Sequence, residues 1–137
     1  MNYIDCAGKS GIIERFKYKI EFNEIENVWI FRVYSLETRT NEFFEFQLKN
    51  VDDRTAKVIM MSHHGDPAYV GKGIAERILE EGYRILNINI ISSSISNSHK
   101  IFNNEWMTED AFKFWERLQS KGMAYFDSKN KVFCYRP

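Results

Sequence analysis

Cysteine and proline are scarce in this chain, with two of each in 137 residues. Cys6 and Cys134 lie near opposite ends without metal-ligand spacing, which excludes a disulfide framework and leaves buried, reduced thiols as the expectation. An excess of either charge is missing too. Nineteen basic residues balance nineteen acidic ones, so no overall field draws the chain to nucleic acid or to an anionic membrane, and neither is expected as a partner. No run of eighteen apolar residues exists, and Met1-Asn2-Tyr3-Ile4-Asp5-Cys6 lacks the basic and apolar regions of a secretory signal, so a cytoplasmic location is expected. Metal is set aside as well: His63, His64 and Asp66 are close in sequence, but adjacent histidines seldom converge on one ion and no fourth ligand is near.

What is present is enough apolar and aromatic content for one core, and a single domain over residues 1–137 is expected. Phe16 to Phe22 alternates apolar and charged residues at period two, the pattern of a half-buried strand. Val28 to Tyr34 and Glu42 to Leu48 follow as strands, joined across the polar stretch Ser35 to Asn41, and Asp52-Asp53-Arg54 turns the chain into a fourth strand over Ala56 to Met61. Four strands in a meander predict a largely antiparallel sheet. Before them, only Gly8 to Arg15 has room for a short helix.

The second half changes period. Ile74, Ala75, Ile78, Leu79 and Gly82 recur at three and four, predicting a helix that ends near Gly82 with Glu76, Arg77, Glu80 and Glu81 mostly outside. Ile85 to Ile91 alternates again and is expected to re-enter the sheet, parallel to the strand before the helix. Ser92 to Lys100 has the composition of a surface loop or lid. Thr108 is a hydroxyl N-cap for a second helix with acidic residues in its first turn and an apolar stripe of Ala111, Phe114, Trp115 and Leu118. Gly122 stops it, and Met123 to Phe126 with Lys131 to Tyr135 form a closing hairpin.

Between the fourth strand and the first helix lies Tyr69-Val70-Gly71-Lys72-Gly73-Ile74-Ala75. Gly71 and Gly73 let a backbone approach an anion without a Cβ, and the first amides of the following helix have no intrahelical partner, so this turn can hold a phosphate.

Two segments, in this order, resemble the GNAT superfamily of acyl-coenzyme A-dependent N-acetyltransferases. Its pyrophosphate motif, R/Q-x-x-G-x-G/A at the start of a helix, aligns with Val70 to Ala75, matching at Gly73 and Ala75, with Val70 in place of the usual arginine or glutamine. Ala111-Phe112-Lys113-Phe114-Trp115-Glu116-Arg117-Leu118 with Gly122 resembles the family's late helix, N-x-x-A-x-x-F-Y-x-x-L-G-F, with Thr108 at its asparagine and Trp115 at its tyrosine. The resemblance covers roughly residues 56–136. It implies an α+β fold: a mixed, mostly antiparallel central sheet with a splayed parallel strand pair and two main helices. The family usually places one or two helices between its first two strands, which this sequence has no room for.

The resemblance further implies acetyl-coenzyme A as cosubstrate and a small-molecule or peptide amine as acceptor, with a homodimer admitted. Pyrophosphate would lie against Gly71, Lys72, Gly73, Ile74 and Ala75, the pantetheine arm would pair with the strand near Met61, Ser62 and His63, and Val70 and Trp115 would complete the cofactor contacts. An aliphatic ammonium near pKa 10 needs a base, and histidine, with a reference value of about 6.5, suits the task. His63 and His64 are both placed for it, and neighbouring residues on a strand face opposite ways, so one of them at most enters the site. Indole cannot act as an acid, so Trp115 leaves Tyr125, Tyr69 or water to protonate the departing thiolate. The alternative is a non-catalytic module that only binds. Replacing Gly73 by valine is expected to weaken coenzyme A binding and spare the fold.

Two rival motifs fail. Gly8-Lys9-Ser10 matches the end of a P-loop, but the earlier glycine would fall on Tyr3 and no buried strand is expected before it. The lysines and aromatics of Phe16 to Phe22 suit single-stranded nucleic acid, but Glu21, Glu24 and Glu26 interrupt the positive field.

Overall fold

The computed structural model describes residues 2–37, 42–94 and 108–137. Over these described residues the fold is α+β, with eight strands in one sheet and two helices. In chain order they are β1 (Asn2–Ala7), β2 (Ile13–Asn23), β3 (Val28–Ser35), β4 (Phe44–Asn50), β5 (Thr55–Ser62), a 3-10 turn (Pro67–Tyr69), α1 (Ile74–Leu86), β6 (Asn89–Ile91), α2 (Glu109–Ser120), β7 (Ala124–Asp127) and β8 (Val132–Tyr135). The hydrogen-bonded order is β1-β2-β3-β4-β5-β6-β8-β7. Pairings β1–β2, β2–β3, β6–β8 and β7–β8 are antiparallel, and β5–β6 is parallel, the handiwork of the α1 crossover. The chain divides into two compact units, residues 1–47 with 60–87 and residues 48–59 with 88–137.

In the first unit the period-two pattern works as read. Phe16, Tyr18, Phe31 and Val33 are buried, while their neighbours Lys17, Lys19, Arg32 and Tyr34 face the other side. Helix α1 lies on the buried face, contributing Ile74, Ile78 and Leu79. Three expectations need correction. Gly8 to Arg15 is a turn and the start of β2, because β1 precedes it and pairs back over six register positions. The helix runs past Gly82 to Leu86, since Gly82 is a buried interior position; Asn87, left-handed at φ 52°, ends it by donating its amide to Tyr83 O at 2.9 Å. Consequently Ile85 to Ile91 shrinks to the three residues of β6.

Glu81 is the fourth correction, because it lies inside. It is only 5% exposed, with its carboxylate accepting from Tyr18 Oη at 2.5 Å, Arg84 Nε at 2.9 Å and Arg77 Nη1 at 3.4 Å. A buried carboxylate needs such partners. The Arg84 bond, outweighing desolvation, holds its carboxyl down at about 2, while burial raises the Tyr18 hydroxyl. Cys6 lies on the same face, and burial pushes its thiol up to about 12. A thiol so rarely ionised is expected to resist iodoacetamide at pH 8 in the native protein and to react on unfolding; mass-spectrometric labelling at Cys6 without denaturant would contradict this.

In the second unit α2 begins at Thr108, whose hydroxyl accepts from Ala111 N at 3.1 Å, as the N-cap reading requires. It ends in a Schellman arrangement. Gly122, at φ +76°, donates to Gln119 O at 3.0 Å, and Met123 donates to Leu118 O at 2.8 Å. Phe114, Trp115 and Leu118 are buried, and β7–β8 closes the unit as the expected hairpin. Of the serine-rich segment, Ser92 and Ser93 are buried: Ser93 Oγ donates to Val58 O at 2.6 Å and Ser92 Oγ accepts from Phe133 N at 2.9 Å. Its remainder, from residue 95, lies outside the described residues.

Candidate functional site

The segment from the end of β5 to the start of α1 belongs to the first unit and carries most of the sequence-derived site. After Met61 and Ser62 the chain turns through two left-handed positions, His64 at φ 51° and Gly65 at φ 73°. The turn is fixed by its own side chains. Ser62 Oγ accepts from the His64 amide at 3.1 Å, and His63 Nδ1 accepts from the Gly65 amide at 2.9 Å. Asp66 then caps the 3-10 turn, accepting from Ala68 N at 2.9 Å. Tyr69 anchors the far end; it is buried, donates to Glu42 O at 2.8 Å and accepts from Ser35 N at 3.1 Å.

The two histidines are thereby separated in role. His63 uses its Nδ1 lone pair on a backbone amide, so a proton arriving there would break the turn. His64 places Nε2 at 3.0 Å from Glu45 Oε1, and its ring meets Phe43 edge-on at 5.3 Å between centroids. An ionised carboxylate only accepts, so a neutral imidazole here presents Nε2–H to Glu45 and has its lone pair on Nδ1. Glu45 is steadied from its other oxygen, which accepts from Gln47 Nε2 at 2.5 Å. This arrangement has the parts of a base and its orienting carboxylate. Sequence reading missed Glu45, whose only signal was a polar position in the alternation of β4, nineteen residues from His64.

The glycine turn is built against the β1–β2 connection. Gly73 is the N-cap of α1 at φ +75°, and a Cβ there would stand 2.5 Å from Ala7 O. Gly8 faces it from the other strand connection, where a Cβ would fall well inside contact distance of Gly71 O. Lys9 N also donates to Gly71 O at 3.1 Å. Both glycines therefore serve a backbone-to-backbone joint. Gly71 differs, because a Cβ on it would meet nothing within 4 Å. Gly73 offers no side-chain cap to the first amides of α1, so Ile74 and Ala75 begin the helix without one. Lys72 Nζ stands 3.0 Å from the carboxylate of Glu14, which is 10% exposed, so its charge is already paired; Val70, at the head of the motif, is 52% exposed.

Comparison with family models, curated proteins and solved structures finds no match.

The remaining predicted residues belong to the second unit. Trp115 is 1% exposed and stacks on Phe133, with centroids 6.0 Å apart and planes 11° from parallel, so its ring face is occupied by core. Tyr125 is exposed on β7, beneath the Arg136 guanidinium at 4.9 Å. A hydrogen bond with Cys134 raises its hydroxyl, making it a weaker acid than a free tyrosine. Among the described residues no group of three or more His, Cys, Asp or Glu is placed to hold a metal ion, and no helix is long and apolar enough to cross a membrane.

Proposed function

We propose that the chain is an acyl-coenzyme A-dependent N-acetyltransferase that moves acetyl to the amine of a small molecule or peptide. The observation that carries the reading is the His64–Glu45 pair, held on the turn between the end of β5 and the N-terminus of α1. Element order supports it: strand, glycine turn, helix, parallel strand, aromatic helix and terminal hairpin follow one another as the resemblance requires.

In this reading His64 Nδ1 takes the ammonium proton while Glu45 balances the charge that forms on the ring. The freed amine attacks the thioester carbonyl; a C–N bond forms, the C–S bond breaks, and the second proton lost by the nitrogen passes through water to the departing thiolate. Tyr69 is excluded as that acid by its two hydrogen bonds and by burial, which raises its hydroxyl. Pyrophosphate would lie on the amides of Ile74 and Ala75, where helix-terminal partial charge contributes about 0.3–1 kcal/mol. A binding module without catalysis is the second reading, favoured by Trp115, a buried indole that cannot protonate a thiolate at the position where the resemblance has a tyrosine.

Calorimetric titration with acetyl-coenzyme A separates these readings from a chain that binds neither. Saturable heat is expected, with about 2.7 kcal/mol of added stability at 100 times the dissociation constant, and pantetheine, lacking the pyrophosphate, is expected to bind far more weakly. Absence of both heat and thermal shift at millimolar acetyl-coenzyme A sinks both. Thiol release with a panel of amines then tests catalysis: His64→Gln is expected to lower kcat about 100-fold or more, and His63→Asn, whose Oδ1 can still accept from the Gly65 amide, to leave it near that of the parent.

A further inference from the structure

The face of β1–β4 opposite α1 carries a line of side chains, ending beside His64, of which Tyr3, Lys17, Tyr34 and Phe43 have no part in the acetyltransferase reading. Register places Tyr3 opposite Lys17 and Lys17 opposite Tyr34, so three adjacent strands contribute one transverse row. The row continues. Phe43 lies 5.8 Å from Tyr34 and His64 lies 5.3 Å from Phe43, centroid to centroid. With strands about 4.8 Å apart, the row spans roughly 19 Å. Cations are interleaved with the rings: Lys17 and Lys19 Nζ stand 5.6 and 5.8 Å from the centre of Tyr34, and Arg32 stands 5.4 Å from that of Phe43. Tyr3 is 49% exposed, and the buried face, with Tyr18 under Glu81, is on the other side of the strands.

Rings in a row across a sheet, with cations beside Tyr34 and Phe43, match the repeat of a single strand of nucleic acid, whose bases stack and whose phosphates need a positive partner. Sequence reading discounted this for Glu21, Glu24 and Glu26. The structure narrows that objection: Glu24 and Glu26 lie in the β2–β3 connection, outside the strands, and only Glu21 shares the face. Glu21 bonds Arg32 Nη1 at 3.2 Å, while Arg32 Nε is buried without an acceptor, so the guanidinium is incompletely satisfied. Arg15 and Asp5 on the same face cancel as an ion pair, and Lys17, Lys19 and Arg32 against Glu21 and Glu45 leave one positive charge in excess among these residues. We infer that the Tyr3–Lys17–Tyr34–Phe43 row binds a single-stranded nucleic acid. This stands apart from acetyl-coenzyme A, since neither its residues nor its probe involve the glycine turn.

Fluorescence anisotropy with labelled oligouridine and oligodeoxythymidine of about twelve nucleotides tests it. Saturable binding is expected, weakening about twentyfold between ~50 and ~200 mM salt if three phosphates are neutralised. The variants Tyr3→Ala and Lys17→Glu/Lys19→Glu, folded by circular dichroism, are each expected to lose on the order of tenfold in affinity or more. Oligouridine and oligodeoxythymidine binding differently assigns the strand to RNA or DNA within the proposal. Absence of binding at ~50 mM salt overturns it, as does undiminished binding by both variants, or equal binding of a duplex or of polyglutamate, which would mark the face as a mere charge patch.

Discussion

Gly73→Val is expected to destabilise the protein by roughly 3 kcal/mol or more, read as a fall in the urea midpoint. Two costs add. The left-handed conformation at φ +75° costs a branched residue about 1–2 kcal/mol, and the Cβ meets the Ala7 carbonyl at 2.5 Å, where backbone on both sides resists the shift. The same substitution considered from the sequence alone promised a binding defect in an intact fold. The structure corrects that expectation, because the space above Gly73 is filled by the chain itself. Gly71→Ala is the cleaner probe of the turn: it bears the φ cost at +69° but meets nothing, so a loss of only about 1 kcal/mol is expected. If the valine variant melts with the parent, the joint between the two glycine turns is not tight.

Glu81→Gln is expected to cost about 2 kcal/mol at neutral pH, a figure reduced from the full effect of the shift because Arg84 is largely exposed. The pH dependence gives the prediction its sign. A carboxyl held at about 2 in the folded chain, against an ordinary value near 4.5, binds its proton more weakly folded than unfolded. Its contribution is therefore complete above about pH 4.5 and disappears as the pH falls through about 2. The gap between parent and variant, measured by urea unfolding at successive pH values, should close over that interval. A gap that stays constant down to pH 2 would assign the loss to packing around Tyr18 rather than to charge.

How far the sequence could be read depended on the range of the forces involved. Period-two runs gave β2 to β5 because alternation is local, and Thr108 and Gly122 marked the ends of α2 because caps act within a turn of the chain. Gly82 misled because a glycine inside a helix and one ending it look alike until burial is known; Asn87 held the left-handed stop. β1 was missed because its six residues make sense only against β2. The same limit applied to the site. His63 and His64 were visible as a pair, but what separates them is a backbone amide on one side and Glu45 on the other. From sequence Lys72 reads as a phosphate contact and Glu81 as an outward charge, and each has a partner supplied by β2, Glu14 and Tyr18 respectively.

The bond from Lys9 to Gly71 closes a loop of 62 residues, and the Gly8 and Gly73 backbones meet only when it is closed. Local hairpins such as β2–β3 need bring together only a few residues, so they can form before this closure, whose entropic cost comes first and whose contacts come last. Seating the start of α1 on the β1–β2 connection is therefore expected to be a late folding event. A destabilising change at Gly8 or Gly73 should act mainly by hastening unfolding, leaving the folding rate nearly unchanged.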